Sequence, residues 1–311
     1  MNRYGRRAIV SFLLYIVICA IAGILVADAT LRPQRRLLND QDILQGKELA
    51  GRTQSKVEEA SIRTVDQVQL RAWLISPVFG NGNVVLLLHG LSDNRLGMIG
   101  YAEFLLIHHY SVLMPDARAH GQSGGPIATY GLLESEDIGE WVNWLNHRVH
   151  PTCVFGFGES MGAAQVLQSL EHGQLFCAVA AESPFSGLRE IGYDRVGQFF
   201  HTGPWLGRIF LRPVIEFSFL YSHWKYGIDL QSVSPAVVVA QASVPVLLIH
   251  GQMDSNIPIR HSRKIKSLAP KVVLWEVPGA DHCGAITVAR DELFAKLIAW
   301  FVVQPHYVVN K

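Results

Sequence analysis

The chain has 311 residues, of which 49% are hydrophobic, and its 27 Lys and Arg residues against 26 Asp and Glu residues give a formal net charge of +1. This composition excludes a disordered or fibrous protein, and the length allows one large folded domain or two small ones. The balanced charge supplies no basic field for phosphate groups, so no nucleic-acid partner is expected.

The four cysteines lie far apart and form no CxxC pair, so the sequence indicates neither a zinc knuckle nor a disulfide-dense framework. Cys153 and Cys177 fall in apolar strand-like runs, and we expect both to be small buried hydrophobic residues. No cofactor and no metal ion are expected.

The N-terminal region, residues 1–30, contains an uncharged, proline-free run at residues 8–27, with three arginines before it. At about 1.5 Å per helical residue, the run matches a hydrocarbon core of roughly 30 Å and predicts one transmembrane helix. With these arginines inside, the rest of the chain would lie outside the cytoplasm, although Arg32, Arg35 and Arg36 follow the run and leave the opposite orientation open. The alternative is a cleaved signal peptide and a secreted protein, because residues 27–29 have the small-x-small form of a cleavage site.

Residues 31–59 are polar and mixed in charge, which predicts a linker or a short helix before the folded domain. Two runs rich in β-branched residues, 60–65 and 68–76, then predict an antiparallel hairpin. The folded domain is expected to extend over residues 60–303 and to be followed by a tail, residues 304–311.

After the hairpin, short apolar runs alternate with helical patterns. The predicted strands are 84–89, 111–116, 152–157, 176–182, 244–250 and 272–277, and the predicted helices are 96–109, 131–148, 161–172 and 287–303. The apolar runs do not alternate with polar residues, as expected when helices cover both faces of a mostly parallel sheet. The predicted fold class is therefore α/β.

The segment 184–242 interrupts this alternation. It is rich in aromatic residues and is punctuated by Gly203-Pro204 and Pro213. We interpret it as an inserted helical cap, although most of its aromatic residues, taken singly, are explained by packing in a core layer.

The motif Gly158-x-Ser160-x-Gly162 follows a predicted strand and opens a predicted helix, which is the setting of a nucleophile elbow. A tight strand-to-helix turn crowds the backbone, so the two glycines relieve clashes and the serine hydroxyl is held outward. The helix N-terminus directs free N–H groups to the same place and favours negative charge there. The alternative is a glycine-rich bend in which Ser160 is simply a small residue.

A serine hydroxyl needs a base, and the base needs an orienting acid. Of the thirteen histidines, His282 lies in a loop between the last predicted strand and the last helix, where an α/β sheet presents groups at its carboxyl edge. His250 and His89 each end a strand before a glycine and are the second choices. Asp254 follows the strand 244–250 and is the predicted acid.

Asp281 is a rival acid, but its side chain should diverge from that of its direct neighbour His282. The chain order Ser160, Asp254, His282 is that of an α/β-hydrolase triad. Asp116 ends an earlier strand, and we expect it to have a structural role, fixing a polar loop together with Arg118.

Acyl transfer also needs donors for a developing oxyanion. The backbone N–H of Met161, directly after the serine, is one candidate, and that of Leu91, in the loop after strand 84–89, is the second. Gly90 allows the backbone to turn close to the site.

The sequence resembles the α/β-hydrolase superfamily over residues 60–303. The motifs that carry the resemblance occur in order: "HGLSDN" at 89–94, "DARAHGQSGG" at 116–125, "GESMG" at 158–162, "HGQMDSNIP" at 250–258 and "GADHC" at 279–283. Within the superfamily the chain looks like bacterial hydrolases of the serine aminopeptidase-like or monoacylglycerol lipase-like group, some of which carry an N-terminal anchor.

The resemblance implies that Ser160, His282 and Asp254 are nucleophile, base and acid, with Leu91 and Met161 as oxyanion donors. One departure is Ala119, where many relatives have glycine. The implied activity is that of a serine hydrolase, and we expect a carboxylic ester with a lipophilic acyl chain as the substrate.

The expected partners are a small-molecule ester or lipid and, through residues 1–30, a membrane. A peptidase or thioesterase with the same triad is the alternative within the enzyme class. A non-catalytic, membrane-tethered binding protein is the alternative of another class.

Overall fold

The computed structural model describes residues 3–302, which contain helices and one sheet. The strands are β1 (Ser55–Arg63), β2 (Gln69–Pro77), β3 (Val84–Leu88), β4 (Ser111–Pro115), β5 (Val154–Glu159), β6 (Ala178–Glu182), β7 (Val246–Gly251) and β8 (Val273–Val277). The α-helices are α1 (Arg3–Leu31), α2 (Asp40–Arg52), α3 (Ile99–Ile107), α4 (Leu132–Arg148), α5 (Met161–Gln168), α6 (Leu188–Phe199), α7 (Trp205–Ile209), α8 (Arg212–Tyr226), α9 (Pro235–Gln241), α10 (Arg260–Leu268), α11 (Ala285–Val288) and α12 (Arg290–Trp300).

The eight strands form one sheet in the order β1-β2-β4-β3-β5-β6-β7-β8. The first two strands make the predicted hairpin, and β2 also pairs antiparallel with β4. All other neighbours are parallel. The predicted α/β class with a mostly parallel sheet is confirmed. The carboxyl ends of β3, β5, β6, β7 and β8 consequently meet at one edge.

Both faces of the sheet are covered by helices, and alternate residues of β3 show how. Val85 and Leu87 belong to a core that α2, α3 and α12 complete, whereas Val84, Leu86 and Leu88 belong to a second core completed by α4, α5, α9 and α10. Every residue of β3 is buried. A strand buried on both faces needs apolar side chains at every position, which explains the uninterrupted run Val-Val-Leu-Leu-Leu.

Two segments differ in detail from the sequence-based expectation, and a third cannot be compared. The predicted linker over residues 31–59 contains α2 and the first part of β1. Helix α10 occupies a segment for which no element was predicted. The predicted tail, residues 304–311, lies outside the described residues.

The expectation that Cys153 and Cys177 are free, buried hydrophobic residues is wrong. Their sulfur atoms form a disulfide, and the two Cα atoms are 5.8 Å apart. Cys153 directly precedes β5 and Cys177 directly precedes β6, and these strands are paired neighbours. Residues 24 positions apart in sequence are therefore brought to the same end of the sheet.

The described residues divide into two compact units. One contains residues 33–186 and 234–302 and carries the whole sheet. The other contains residues 3–32 and 187–233, that is, α1 together with α6, α7 and α8. The predicted cap over residues 184–242 thus contributes α6–α8 to the second unit and α9 to the first. Helix α1 is long and apolar enough to cross a membrane.

Candidate active site

Ser160 lies on a sharp turn between β5 and α5. Its φ of +53° and ψ of −111° are strained for a residue with a side chain. A Cβ added to Gly158 would lie 2.4 Å from the carbonyl carbon and oxygen of Gly162, and a Cβ added to Gly162 would lie 2.3 Å from the carbonyl oxygen of Leu88. Only glycine fits at either position, so the turn has the tight geometry that the motif predicts.

The sheet edge brings Ser160, His282 and Asp254 together. Ser160 Oγ lies 2.9 Å from His282 Nε2, and His282 Nδ1 lies 2.9 Å from Asp254 Oδ2. Because a carboxylate accepts hydrogen bonds, Nδ1 carries the proton and Nε2 is left to accept from the serine hydroxyl. The three side chains form a continuous hydrogen-bonded series.

Asp254 is held in place by the backbone that follows it. Its Oδ1 accepts hydrogen bonds from the N–H groups of Asn256 at 3.0 Å and Ile257 at 2.7 Å. Burial alone would raise the pKa of this carboxyl, but hydrogen bonds from His250 and His282 outweigh burial and lower the pKa well below its usual range. Asp254 is therefore ionised at neutral pH and stabilises positive charge on an adjacent imidazole.

The rival acid is occupied elsewhere. The Asp281 carboxylate accepts hydrogen bonds from the backbone N–H of Ser255 at 2.9 Å and from its hydroxyl at 3.2 Å. This contact ties the loop that carries Asp281 and His282 to the loop that carries Asp254. Asp281 thus holds two loops together.

The two other candidate bases, His250 and His89, form hydrogen bonds with backbone groups of neighbouring loops. His250 is buried, donates from Nε2 to the carbonyl of Ile257 at 2.8 Å and lies 2.7 Å from the Ser262 hydroxyl. His89 contacts the carbonyl of Gly90 through Nδ1 at 2.7 Å, and its Nε2 accepts from the N–H of Ala117. Burial lowers the pKa of His89, so it is neutral at physiological pH.

The two predicted oxyanion donors belong to segments that flank Ser160. Met161 is the first residue of α5, where N–H groups have no partner within the helix. Leu91 follows β3 and Gly90, and a Cβ added to Gly90 would lie 3.8 Å from the Ser160 Cβ. A side chain at position 90 would therefore contact the nucleophile's side chain, so the segment before Leu91 lies beside Ser160.

A carboxylate pair behind Ser160, half-buried Glu159 and buried Glu182, was missed by the sequence interpretation. The Tyr101 hydroxyl, from α3, lies 2.7 Å from Glu159 Oε1 and 2.9 Å from Glu182 Oε2. The other Glu182 oxygen accepts from the N–H of Ala285 at 3.0 Å. Burial and the neighbouring Glu182 raise the pKa of Glu159 to about 8, and burial also raises the pKa of Glu182.

This pair connects the nucleophile's strand to the loop of the base. Glu159 immediately precedes Ser160, Glu182 ends the adjacent strand, and Ala285 lies three residues after His282. The sequence carries one signal for the pair: two strands of this edge, both otherwise apolar, end on a glutamate. Their pairing becomes visible only once β5 and β6 are in register, with Glu159 opposite Glu182.

Gly251 is a second missed residue. A Cβ at this position would lie 2.4 Å from the carbonyl oxygen of Ala280 and 2.5 Å from that of Asp281. Only glycine therefore allows the end of β7 to approach the loop that presents His282. The glycine that follows His250 in sequence is the available signal.

The polar loop after β4 has the structural role expected for Asp116, but its carboxylate pairs with Arg95, at 2.7 Å, and not with Arg118. Arg118 instead pairs with Asp137 at 2.6 Å. Ala119 has a φ of +59°, a conformation that favours glycine. The departure from glycine at this position therefore carries local strain in the loop, away from the three side chains described above.

The described residues also contain a cavity that lies apart from Ser160. A cavity of about 360 Å³ is lined by residues of α2, β1 and β2, Trp73 and Glu59 among them, and by none of the three side chains above. Within residues 3–302, no group of three or more His, Cys, Asp and Glu side chains could hold a metal ion.

A profile of the alpha/beta hydrolase family matches residues 85–297. The uncharacterized protein YfhR of Escherichia coli is 27% identical over 256 residues, which are 79% of this chain and 80% of that protein. The uncharacterized protein YqkD of Bacillus subtilis is 27% identical over 216 residues, 67% of each chain. Lysophosphatidylserine lipase ABHD12 of Macaca fascicularis is 25% identical over 207 residues, 63% of this chain and 48% of the lipase.

Solved structures of an esterase and of another hydrolase superpose on this chain. The esterase Pf2001 of Pyrococcus furiosus superposes with a TM-score of 0.68 and 26% identity, covering 87% of this chain and 98% of the esterase. A hydrolase from Pseudomonas aeruginosa, 15% identical, superposes with a TM-score of 0.58 over 78% of this chain and 98% of that one, and so supports the fold alone.

Proposed function

Because the chain belongs to the alpha/beta hydrolase family, we propose that it is a serine hydrolase that cleaves carboxylic esters. One observation carries the proposal: the hydrogen-bonded series from Ser160 Oγ through His282 to Asp254, with 2.9 Å at each step. A general base within hydrogen-bonding distance of a strained, outward serine, oriented by an ionised carboxylate, is the arrangement that activates a hydroxyl.

In the first half of the proposed reaction, His282 Nε2 removes the Ser160 proton as Oγ attacks the ester carbonyl carbon. The resulting oxyanion accepts hydrogen bonds from the N–H groups of Leu91 and Met161, each worth about 3 kcal/mol. His282 then donates its proton to the leaving alkoxide, the C–O bond breaks, and an acyl-enzyme and an alcohol result.

In the second half, His282 removes a proton from water, and the hydroxide attacks the acyl-enzyme. The tetrahedral intermediate collapses to release the carboxylic acid, and Ser160 regains its proton from His282. Asp254 remains ionised throughout and stabilises the imidazolium that forms twice in each cycle.

We propose a lipophilic acyl chain in the substrate. The support is that the protein is similar to an esterase of known structure at 26% identity and, more distantly, to a lysophosphatidylserine lipase. Membership of the serine aminopeptidase-like or monoacylglycerol lipase-like group is part of the same proposal, resting on the motifs around Ser160 and His282.

We also propose that α1 is a retained, single-pass membrane anchor and that the remainder of the chain lies outside the cytoplasm. The length and apolarity of α1 support the anchor. The disulfide between Cys153 and Cys177 supports the location, because disulfides persist in oxidising compartments.

A fluorophosphonate probe tests the catalytic proposal. The intact protein should be labelled, and the Ser160→Ala variant should not. Absence of labelling in the folded wild-type protein, or equal labelling of Ser160→Ala, would favour a non-catalytic binding protein instead.

The bond specificity is tested with p-nitrophenyl esters of graded acyl length beside aminoacyl anilides and acyl thioesters. We expect turnover of the esters, rising with acyl length. Turnover confined to the anilides or to the thioesters would replace the ester proposal by a peptidase or a thioesterase.

Membrane fractionation followed by N-terminal sequencing tests the anchor. An anchored protein sediments with membranes and retains its N-terminus. A mature chain that begins at Thr30 would show that residues 1–29 are a cleaved signal.

A further inference from the structure

Helix α1 is not an isolated anchor, because it packs closely against α8. Its buried residues recur every fourth position, at Cys19, Gly23, Ala27 and Leu31. A Cβ added to Gly23 would lie 2.7 Å from the Phe217 Cβ, so a side chain at this crossing would clash. Small residues at a contact between apolar helices are typical of helices that associate inside membranes.

The contact has a defined register. Near its start, the Tyr15 hydroxyl donates to the carbonyl of Phe210. Near its end, the Asp28 carboxylate accepts hydrogen bonds from Lys225 Nζ at 3.0 Å and from the Tyr226 hydroxyl at 2.8 Å. Both helices therefore run in the same direction and stay together for about 20 Å of α1, at about 1.5 Å per residue.

This register leaves too little of α1 to cross a bilayer by itself. Residues 3–14, ahead of the contact, extend about 18 Å, whereas the hydrocarbon core is roughly 30 Å thick. A bilayer that α1 crosses must therefore also admit part of α8 and the chain that packs around its N-terminal end.

The segment from α6 to α8 carries exposed apolar side chains, which we call the aromatic face. Its members are large hydrophobic side chains that are at least half exposed: Phe199, Phe200, Trp205, Ile209, Phe210, Leu220 and Trp224. Seven such residues within a 26-residue stretch far exceed what single scattered exposures explain, and the rings of Phe199 and Phe200 and those of Trp205 and Phe210 contact each other. Such a concentration of exposed apolar side chains marks an interaction site.

The charges nearby are paired. Arg208 pairs with Glu190, and Arg212 pairs with Glu216 at 3.2 Å. Pairing lowers the cost of bringing such groups toward lipid. At the other end of α8, Trp224 and Tyr226 adjoin Lys225, a combination typical of the level of lipid headgroups.

We propose that the aromatic face binds the lipid bilayer, entering the leaflet on the side where α1 ends. The protein would then contact the membrane at two places, because α1 crosses the bilayer and α6–α8 bind to it. This proposal rests on the proposed insertion of α1. The paired charges and the shared register with α1 favour lipid over a second protein chain as the occupant.

Quenching of tryptophan fluorescence by brominated lipid tests the proposal, because α1 contains no tryptophan and two of the seven tryptophans of the chain lie on the aromatic face. The full-length protein is placed in lipid nanodiscs at one chain per disc, with acyl chains brominated or not. The variants are Trp205→Phe/Trp224→Phe and, as a matched control, Trp144→Phe on α4.

We expect brominated lipid to quench the wild-type protein and Trp144→Phe alike, and the double variant to lose most of that quenching. Equal quenching in the double variant would overturn the proposal. Absence of quenching in one-chain discs would overturn it as well, and would show that the aromatic face is exposed to water.

The failure of each underlying proposal has its own signature. A protein that does not elute with the discs contradicts insertion of α1 and with it the present proposal. Loss of fluorophosphonate labelling contradicts the hydrolase proposal alone, since quenching does not depend on Ser160.

Discussion

Replacing Asp254, the carboxylate that orients His282, by asparagine removes the charge of the side chain and keeps its shape. Asp254→Asn keeps the hydrogen bonds from Asn256 and Ile257 within reach but favours the wrong tautomer of His282. We expect kcat for ester hydrolysis to fall by about 10⁴-fold with little change in KM. Steady-state kinetics on a p-nitrophenyl ester measure the effect.

Asp281→Asn is the matched control, since it changes the neighbouring carboxylate, which accepts hydrogen bonds from Ser255 and from the backbone N–H of His282. Its kcat should stay within about tenfold of the wild-type value, because the triad contacts are untouched. If Asp281→Asn were the more damaging of the two, Asp254 would not be the catalytic acid.

Gly162 tests the elbow itself. In Gly162→Ala the new methyl group would overlap the carbonyl of Leu88, which is backbone and cannot rotate away. The loop that carries Leu91 and the helix that carries Met161 must then separate, and we expect at least about 100-fold loss of kcat/KM. Ester hydrolysis and thermal unfolding are measured together.

Gly139→Ala is the comparison, because a Cβ at that position in α4 meets nothing within 4 Å. It should leave activity unchanged and stabilise the helix by about 0.5–1 kcal/mol. Similar activity in both variants would mean that the close approach at Gly162 has no bearing on the site.

The sequence predicts the candidate catalytic residues better than the residues that pack behind them. Ser160, Asp254 and His282 each follow a strand, and their meeting agrees with the predicted order, although their catalytic role stays a prediction. Glu182 and Tyr101 could not be found in this way. Their contact depends on the register of β5 against β6 and on the side of the sheet that α3 covers.

At the scale of elements, two neighbouring strands end on carboxylates that share one buried tyrosine. Glu159 and Glu182 cannot both be ionised cheaply at such a short separation from Tyr101. One proton therefore remains on the pair near neutral pH. The pair also anchors the loop after β8 through the N–H of Ala285.

This arrangement predicts a stability that depends on pH. The unfolded chain releases the Glu159 proton near its usual pKa of 4.5, whereas the folded protein releases it at about 8. Between these values the folded state binds one more proton, so stability falls as the pH rises through this window, by roughly 5 kcal/mol, and this contribution is constant above it. Glu159→Gln should remove most of this fall and be more stable than the wild type at pH 8.

Unfolding followed at several pH values measures the difference. Glu276→Gln is the control, because Arg263 lowers the pKa of that carboxyl and the pair is exposed. It should not flatten the profile between pH 4.5 and 8. A wild-type stability that rises across the window would contradict the shared-proton interpretation.

Elements escaped prediction where burial is slight. Helix α10 has the sequence Arg-His-Ser-Arg-Lys-Ile-Lys-Ser-Leu, and its buried residues are His261, Ser262 and Ile265. With a single buried apolar residue, it offers no hydrophobic period to detect. Helix α2 differs, because it packs Leu49 and Ala50 into the core, and the sequence leaves a linker and a short helix open for its segment. The capping box between Asn39 and Asp42 is the local signal for where this helix begins.

At the scale of the whole molecule, the order of strands and helices followed from apolar runs, since both faces of the sheet are buried. The disulfide could not be predicted in the same way. Cys153 and Cys177 are each adjacent to a buried strand, and sequence alone does not show that β5 and β6 are neighbours. Long-range pairing is the information that local patterns lack.

The disulfide between Cys153 and Cys177 should stabilise the sheet-bearing unit as a whole. Closing a loop between residues 24 positions apart lowers the entropy of the unfolded chain and should stabilise the protein by about 3 kcal/mol. Cys153→Ala/Cys177→Ala should therefore unfold at a lower temperature than the wild type, and a reductant should lower the wild-type value alone. Ester hydrolysis by the folded variant should be retained, because neither sulfur contacts Ser160, Asp254 or His282. A reductant effect of equal size on both proteins would show that the stabilisation comes from another source.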